Sequence, residues 1–389
     1  MNTVRWTPLV ALSIALAAGC SDDDKPTAPP APSLLEAAVE QARVAHHLPA
    51  IAAASFSLDA IEVAASGVRR LGAPAMVTTD DLFHVGSLAK GMTATAIARL
   101  VDQGTLTWTL TLGEAFPDFA ATMNPAYRDV TLEELLQNRS GLPGINDLEE
   151  FLALPEFAGN TPEQRHAFVG WLLSQPPAVE RGTYLYSTGG FAVAAAIAEA
   201  RSGHEWSSEL RAELLNPLGV SMFVGWPLEA GPNEPCGHMI DGGALRAVDP
   251  SEGHIPLVVA PGGDVSMTIR DYARYAQLHL RALCGRPSLL SAASWDHLHA
   301  PVGDYAMGWS VIEAGGETVL THTGSPATFY AFVVLYKNHR HGFVVLMNAD
   351  TPEHDAAIAD IIRAMAPTIG SAERSGTLAT LALNPAAAD

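Results

Sequence analysis

Lysine is nearly missing from this 389-residue chain, which has three: Lys25, Lys90 and Lys337. Lys and Arg together number 22 against 42 Asp and Glu, a formal net charge of -20. So little positive charge argues against a nucleic-acid partner, because a phosphate backbone needs a basic surface. It argues equally against a polybasic membrane anchor. Interior apolar runs long enough to span a bilayer are also missing. The 14 histidines include no His-Glu-x-x-His, and His46-His47, His297-x-His299 and His339-x-His341 lack a supporting ligand pattern, so no metal is expected. There is no Gly-x-Ser-x-Gly elbow. No glycine-rich fingerprint surrounds Gly262-Gly263, so nucleotide binding has no support. No cofactor is expected.

What is present is a large apolar fraction, 48%, enough for a sizeable core in one large or two intimate domains. At the N-terminus Arg5 precedes an apolar run, Leu9 to Ala18, that ends in Leu16-Ala17-Ala18-Gly19-Cys20. Small residues before a cysteine resemble a lipoprotein export signal over residues 1–19, with lipid on Cys20; a plain secretory signal is the alternative. Residues 20–33, charged and proline-rich, read as a flexible tether. The expected location is therefore periplasmic, with the membrane touched only through the lipid. With Cys20 so used, Cys236 and Cys284 remain, and an oxidising compartment permits a disulfide between them; two buried thiols are the other reading.

Apolar periodicity gives a helix over 34–47, a hairpin from strands 51–58 and 61–68, and a helix running to Gly104 as C-cap. Thr131 with Glu134 marks another helix start. Further helices are expected from 161 to 173, 190 to 201, 209 to 215, 269 to 284 and 291 to 299, with a loop-rich stretch over 225–263. Strands 307–313 and 318–321 flank Gly315-Gly316, and strands 329–336 and 342–348 follow, then a helix over 353–365 and a disordered tail over 367–389. The connections between late strands are too short for crossovers. Early and late strands should therefore share one antiparallel sheet, with the terminal helices on one face. The fold class is α/β (α+β): a sheet lobe, 34–86 and 301–366, and a mostly helical lobe, 87–300. Catalytic groups then belong at the seam between them.

Within the helix that starts near Ser87, Lys90 follows three residues on, so both side chains share one face. That is the geometry of a serine nucleophile beside an amine base. Lys25 lies in a tail and Lys337 in a turn, whereas Lys90 is embedded in an apolar helix. An ammonium there is costly unless paired or deprotonated, and a lysine of lowered pKa can take a serine proton. Three further segments are Leu135 to Pro143, Tyr184-Leu185-Tyr186-Ser187-Thr188 and His322-Thr323-Gly324-Ser325.

Taken in order, these segments resemble the serine β-lactamase and penicillin-binding-protein superfamily, in its class C-like branch with D-aminopeptidases and family VIII esterases. The resemblance spans about residues 34–366. It implies a β-lactamase/transpeptidase-like fold, with Ser87 as nucleophile, Lys90 as proton acceptor and Tyr186 as proton relay, its phenol pKa lowered by a cationic lysine. Residues 135–143 are read as structural, with Asn138 in the altered part. Thr188 stands where the family usually has an asparagine that donates to substrate, and offers one shorter hydroxyl. His322 replaces the usual lysine of the third motif, Thr323 and Gly324 complete it as substrate contacts, and His322 meets a substrate carboxylate or the Tyr186 side, cationic only near or below neutrality. The backbone N–H of Ser325 pairs with that of Ser87 as an oxyanion hole. The implied reaction is acyl transfer to water from an ester, amide or β-lactam carbonyl in a monomer, on a small-molecule or peptidoglycan-derived substrate. β-Lactamase-related hydrolase, D-alanyl-D-alanine carboxypeptidase or D-aminopeptidase, and short-chain carboxylesterase all use these groups. A catalytically silent sensor or binding module is the non-enzymatic alternative.

Overall fold

The computed structural model describes Met1, residues 31–314 and residues 316–369. The expected export signal, Cys20, most of the tether, Gly315 and the tail beyond Ile369 lie outside the described residues. Ser33 and Pro367–Ile369 depart from expectation. Ser33 is the N-cap of the first helix, in a capping box with Glu36, and the last residues form a 3-10 turn, Ala366–Ile369.

Twelve strands are present among the described residues: β1 Ala50–Ser57, β2 Ile61–Gly67, β3 Leu82–His84, β4 Phe223–Val224, β5 His238–Asp241, β6 Ala244–Ala247, β7 Val265–Thr268, β8 Tyr305–Ala306, β9 Trp309–Ala314, β10 Glu317–Gly324, β11 Tyr330–Tyr336 and β12 His341–Met347. Seven form one antiparallel sheet in the order β2-β1-β12-β11-β10-β9-β8. The early hairpin joins the late strands through β1 and β12, with Ile51 opposite Met347, so the expected single sheet is what forms.

Alternation sorts the side chains onto two faces. Ile51, Ala53, Phe332, Val334 and Val345 pack under the first helix (Leu35, Val39) and the last (Ile358, Ile362). Ala52, Ala54, Val333, Leu335, Val344 and Leu346 belong to the larger core shared with the helical region. At its centre runs the helix Ala89–Asp102, buried continuously from Ala89 to Ala98. Its small residues let neighbours close in. Gly308 turns with φ +89 between β8 and β9, and a Cβ there would lie 2.5 Å from the Gly91 Cα. Among the described residues no helix is long and apolar enough to cross a membrane.

Two expectations need correction. The loop-rich stretch 225–263 contains the β5–β6 hairpin and a 3-10 turn, Leu257–Gly262, and β7 after it forms a small sheet with β3 and β4. Cys236 and Cys284 are not bridged. Cys236 sits two residues before His238, which bridges to Ala349 just past the end of β12. The Cys284 thiol contacts the Lys337 carbonyl before the start of β12. A seven-residue strand, roughly 23 Å long, separates surroundings that a disulfide would need within about 7 Å.

Candidate active site

The turn that carries Ser87 is clamped from behind. Val85 N–H donates to the Val265 carbonyl at 2.8 Å, fastening the exit of β3 to β7. Gly86 follows with φ +52 and opens a 3-10 turn, Gly86–Leu88, that runs into the Ala89–Asp102 helix. His84 is fully buried. Its Nδ1 accepts from the Gly86 N–H at 3.1 Å, so the proton sits on Nε2 and is donated to Asp264 Oδ1 at 3.0 Å. Trp226 covers this imidazole at 5.1 Å between ring centres.

Lys90 is fully buried, and its Nζ has three oxygen neighbours: Ser87 Oγ at 3.1 Å, Thr188 Oγ1 at 3.0 Å and the Gly262 carbonyl at 2.6 Å. None is a carboxylate, and burial pushes the amine well below its usual pKa. A neutral amine has two N–H groups and one lone pair. The Gly262 carbonyl can only accept, and Thr188 Oγ1 can accept the second N–H, which leaves the lone pair for the Ser87 proton.

Thr188 is the first residue of the helix Thr188–Ser202, with Ser187 as its N-cap. Two asparagines aim this segment. Asn146 receives the Thr188 N–H at 2.9 Å and donates to the Tyr186 carbonyl at 2.9 Å. Asn138, in the left-handed region at φ +58, accepts from the Ser187 N–H at 3.1 Å and from the Leu185 N–H through its own carbonyl at 2.8 Å. The structural reading of 135–143 thus becomes specific: the segment fixes the residues on both sides of Tyr186.

The Tyr186 ring centre lies 4.5 Å from Lys90 Nζ, and its phenol is within hydrogen-bonding reach of the Ser87 side chain. The expected fall in phenol pKa is reversed. Burial raises it more than the Ser87 contact lowers it. Burial also disfavours the charge on the amine that was expected to lower it, so desolvation wins.

β10 reaches the site because it extends three residues beyond the expected strand. Its pairing with β9 ends at Thr321, while its pairing with β11 continues to Gly324. One edge of His322-Thr323-Gly324 is therefore unpaired. Gly324 is required by close approach: a Cβ there would lie 2.8 Å from Ser87 N, and one on Gly86 would lie 2.8 Å from Ser325 N. The Ser87 and Ser325 amides flank this contact. His322 is buried, with ring centre 6.2 Å from that of Tyr186. Its Nδ1 donates to the Thr323 carbonyl at 2.7 Å, leaving Nε2 as an acceptor. Burial pushes the imidazole down to about 4. The expectation of a cation near neutrality is corrected accordingly. Thr323 is corrected too. It pairs opposite Phe332 and shares its face under the terminal helices, exposed, so its side chain is not brought to Ser87.

Asn146, Gly262 and Asp264 were missed in the sequence. Each acts on a partner far along the chain, and none belongs to a local pattern.

The chain matches the family described as Beta-lactamase over residues 35–366. It is 30% identical over 277 residues to Penicillin-binding protein 4 of Amycolatopsis lactamdurans, a match covering 70% of this chain and 71% of that protein. It also superposes on the octameric penicillin-binding protein homologue from Pyrococcus abyssi with a TM-score of 0.68 and 20% identity, covering 87% of this chain and 77% of the other. With the D-amino acid amidase from Ochrobactrum anthropi SV3, complexed with L-phenylalanine amide, the TM-score is 0.68 at 19% identity, over 86% and 98%. At those identities the structural likeness is one of fold. The chain belongs to the Beta-lactamase family, within the superfamily of β-lactamases and penicillin-binding proteins.

Proposed function

We propose that this protein hydrolyses ester or amide carbonyls through an acyl-enzyme on Ser87. The observation that carries the reading is the buried Lys90 amine, 3.1 Å from Ser87 Oγ and free of any acidic partner among the described residues. A carbonyl carbon approaches Ser87 with its oxygen toward the amides of Ser87 and Ser325. Oγ attacks as Lys90 Nζ takes the hydroxyl proton. The two amides stabilise the negative charge on the former carbonyl oxygen. Collapse expels the alcohol or amine, which receives a proton relayed through Tyr186 from Lys90. Water then attacks the acyl group along the reverse proton path and releases the acid.

Burial disfavours the charged form of Lys90 and takes His322 down to about 4, so both are weakened as anchors for a carboxylate, which favours uncharged ester and amide substrates. The reading includes export with a lipid on Cys20, supported by the run from Arg5 to Cys20. The test is intact mass of the purified protein with a short-chain aryl ester and, separately, with a penicillin. Ester turnover without a lasting penicillin adduct supports the reading. A penicillin adduct that forms and clears would assign β-lactamase turnover, a persistent one a cell-wall peptidase or sensor, and no reaction with either would contradict the hydrolase reading.

A further inference from the structure

The residue that closes the oxyanion hole is held from the far end of the domain. Ser325 is exposed, and its Oγ donates to Asp350 Oδ2 while accepting from the Ala327 N–H at 2.9 Å. Ala327 is a non-glycine residue at φ +67, so the turn leaving β10 is closed on the Ser325 hydroxyl against the local backbone preference. Asp350 lies between β12 and the last helix, His354–Met365. Its other oxygen is 3.1 Å from Nδ1 of His354, the first residue of that helix. His354 lies flat on the Tyr330 ring, 3.7 Å between centres and 17° apart, and its Nε2 is 3.4 Å from Asp355. Tyr330 opens β11, the strand that pairs with β10. The hydroxyl of Ser325 is thus tied to a carboxylate whose own position is set by a stacked imidazole.

We propose that Asp350 is a positioning residue for the oxyanion hole. By accepting from Ser325 Oγ it sets the direction of the Ser325 amide, one of the two donors beside the Gly86–Gly324 contact. His354 holds Asp350 in place and offsets its negative charge close to where a second negative charge develops. The proposal rests on the reading of Ser87 as the acylated nucleophile. Asp350 takes no proton from substrate and is not itself a catalytic residue.

The test is the rate of Ser87 acylation at saturating aryl ester, followed by quenched intact mass, in the wild type, Ser325→Ala, Asp350→Ala, their double variant and Asp350→Asn. Thermal melting is recorded for each. The amide survives in every variant and only its aim is lost, so the expected loss is about tenfold for each single alanine variant. The double variant should be no worse than the slower single one, and the half-saturating ester concentration should stay within about twofold. Asp350→Asn keeps an acceptor for Ser325 Oγ and should recover to within about threefold of the wild type. Should Asp350→Ala fail to fold, Ser325→Ala, altered at an exposed side chain, still decides the matter. Alanine variants at the wild-type rate, additive losses, or an asparagine variant as slow as the alanine one would overturn the positioning role while leaving the Ser87 reading intact. A wild type that forms no adduct would overturn both.

Discussion

Thr188 Oγ1 lies 3.0 Å from Lys90 Nζ, so the residue that departs most visibly from the related motif holds the amine beside the nucleophile. Its hydroxyl is the acceptor that lets the amine lone pair face Ser87. Thr188→Val keeps the shape and removes that acceptor. It should lower ester turnover about tenfold and stability by about 1–2 kcal/mol, with Thr188→Ser close to wild type. Steady-state kinetics and urea denaturation of the two variants check this. A valine variant with wild-type turnover would show that Gly262 alone orients the amine.

Lys90→Met should abolish turnover, yet raise stability at neutral pH. The folded-state pKa of Lys90 is depressed below that of the unfolded chain. Below the unfolded value of about 10.4 the unfolded chain binds the proton that the folded site refuses, so the wild type loses stability as pH falls from there toward the folded pKa. The methionine variant has no such loss. Urea denaturation should show its advantage at pH 7 shrinking toward pH 10. An advantage independent of pH would mean that Lys90 is charged in the fold.

A second buried basic pair gives an acid-side prediction. His279 Nδ1 lies 2.9 Å from His299 Nε2, and His279 Nε2 lies 3.2 Å from Thr95 Oγ1 on the Ser87 helix. Burial pushes His279 well below its usual pKa and His299 to about 3. Burial disfavours the charged form of both in the fold, and both protonate near pH 6.5 when unfolded, so stability falls as pH drops below 6.5, down to about pH 3 for His299, by about 1.4 kcal/mol per pH unit for each histidine that stays neutral in the fold. His299→Gln should flatten that slope by about one such contribution in urea denaturation between pH 6 and 4.5. An unchanged slope would place the proton uptake elsewhere, for instance at His322 or His341, which burial also pushes to about 4.

Gly324→Ala tests the close contact of β10 with the Ser87 turn. A Cβ at this position would lie 2.8 Å from Ser87 N and collide with the Val85 carbonyl. Displacing one oxyanion donor should cost about a hundredfold or more in acylation rate. Acylation at the wild-type rate would remove the Ser87 and Ser325 amides from the account.

The parts of the site read from sequence are those with short-range signatures. Ser87 and Lys90 share a helical face whatever surrounds them, and the late hairpins fix β10 beside β11. What escaped depends on distant partners: Gly262 lies 172 residues from Lys90, Asp264 180 from His84, and Asn146 40 from Tyr186. The direction of the Tyr186 shift escaped because it is set by burial, which no local pattern states. Thr323 was misassigned because a strand three residues longer than expected turns alternate side chains to opposite faces. The Cys236–Cys284 pairing failed because residue counts do not show that the two thiols lie near opposite ends of β12.

The most direct test is to find where the acyl group goes. The protein is quenched in acid within its first turnovers of a short-chain aryl ester, digested and mapped by mass spectrometry. One acyl adduct is expected, on the peptide holding Ser87-Leu88-Ala89-Lys90 and at the Ser87 hydroxyl, absent from Ser87→Ala. An adduct on any other residue, or ester turnover that persists in Ser87→Ala, would contradict it.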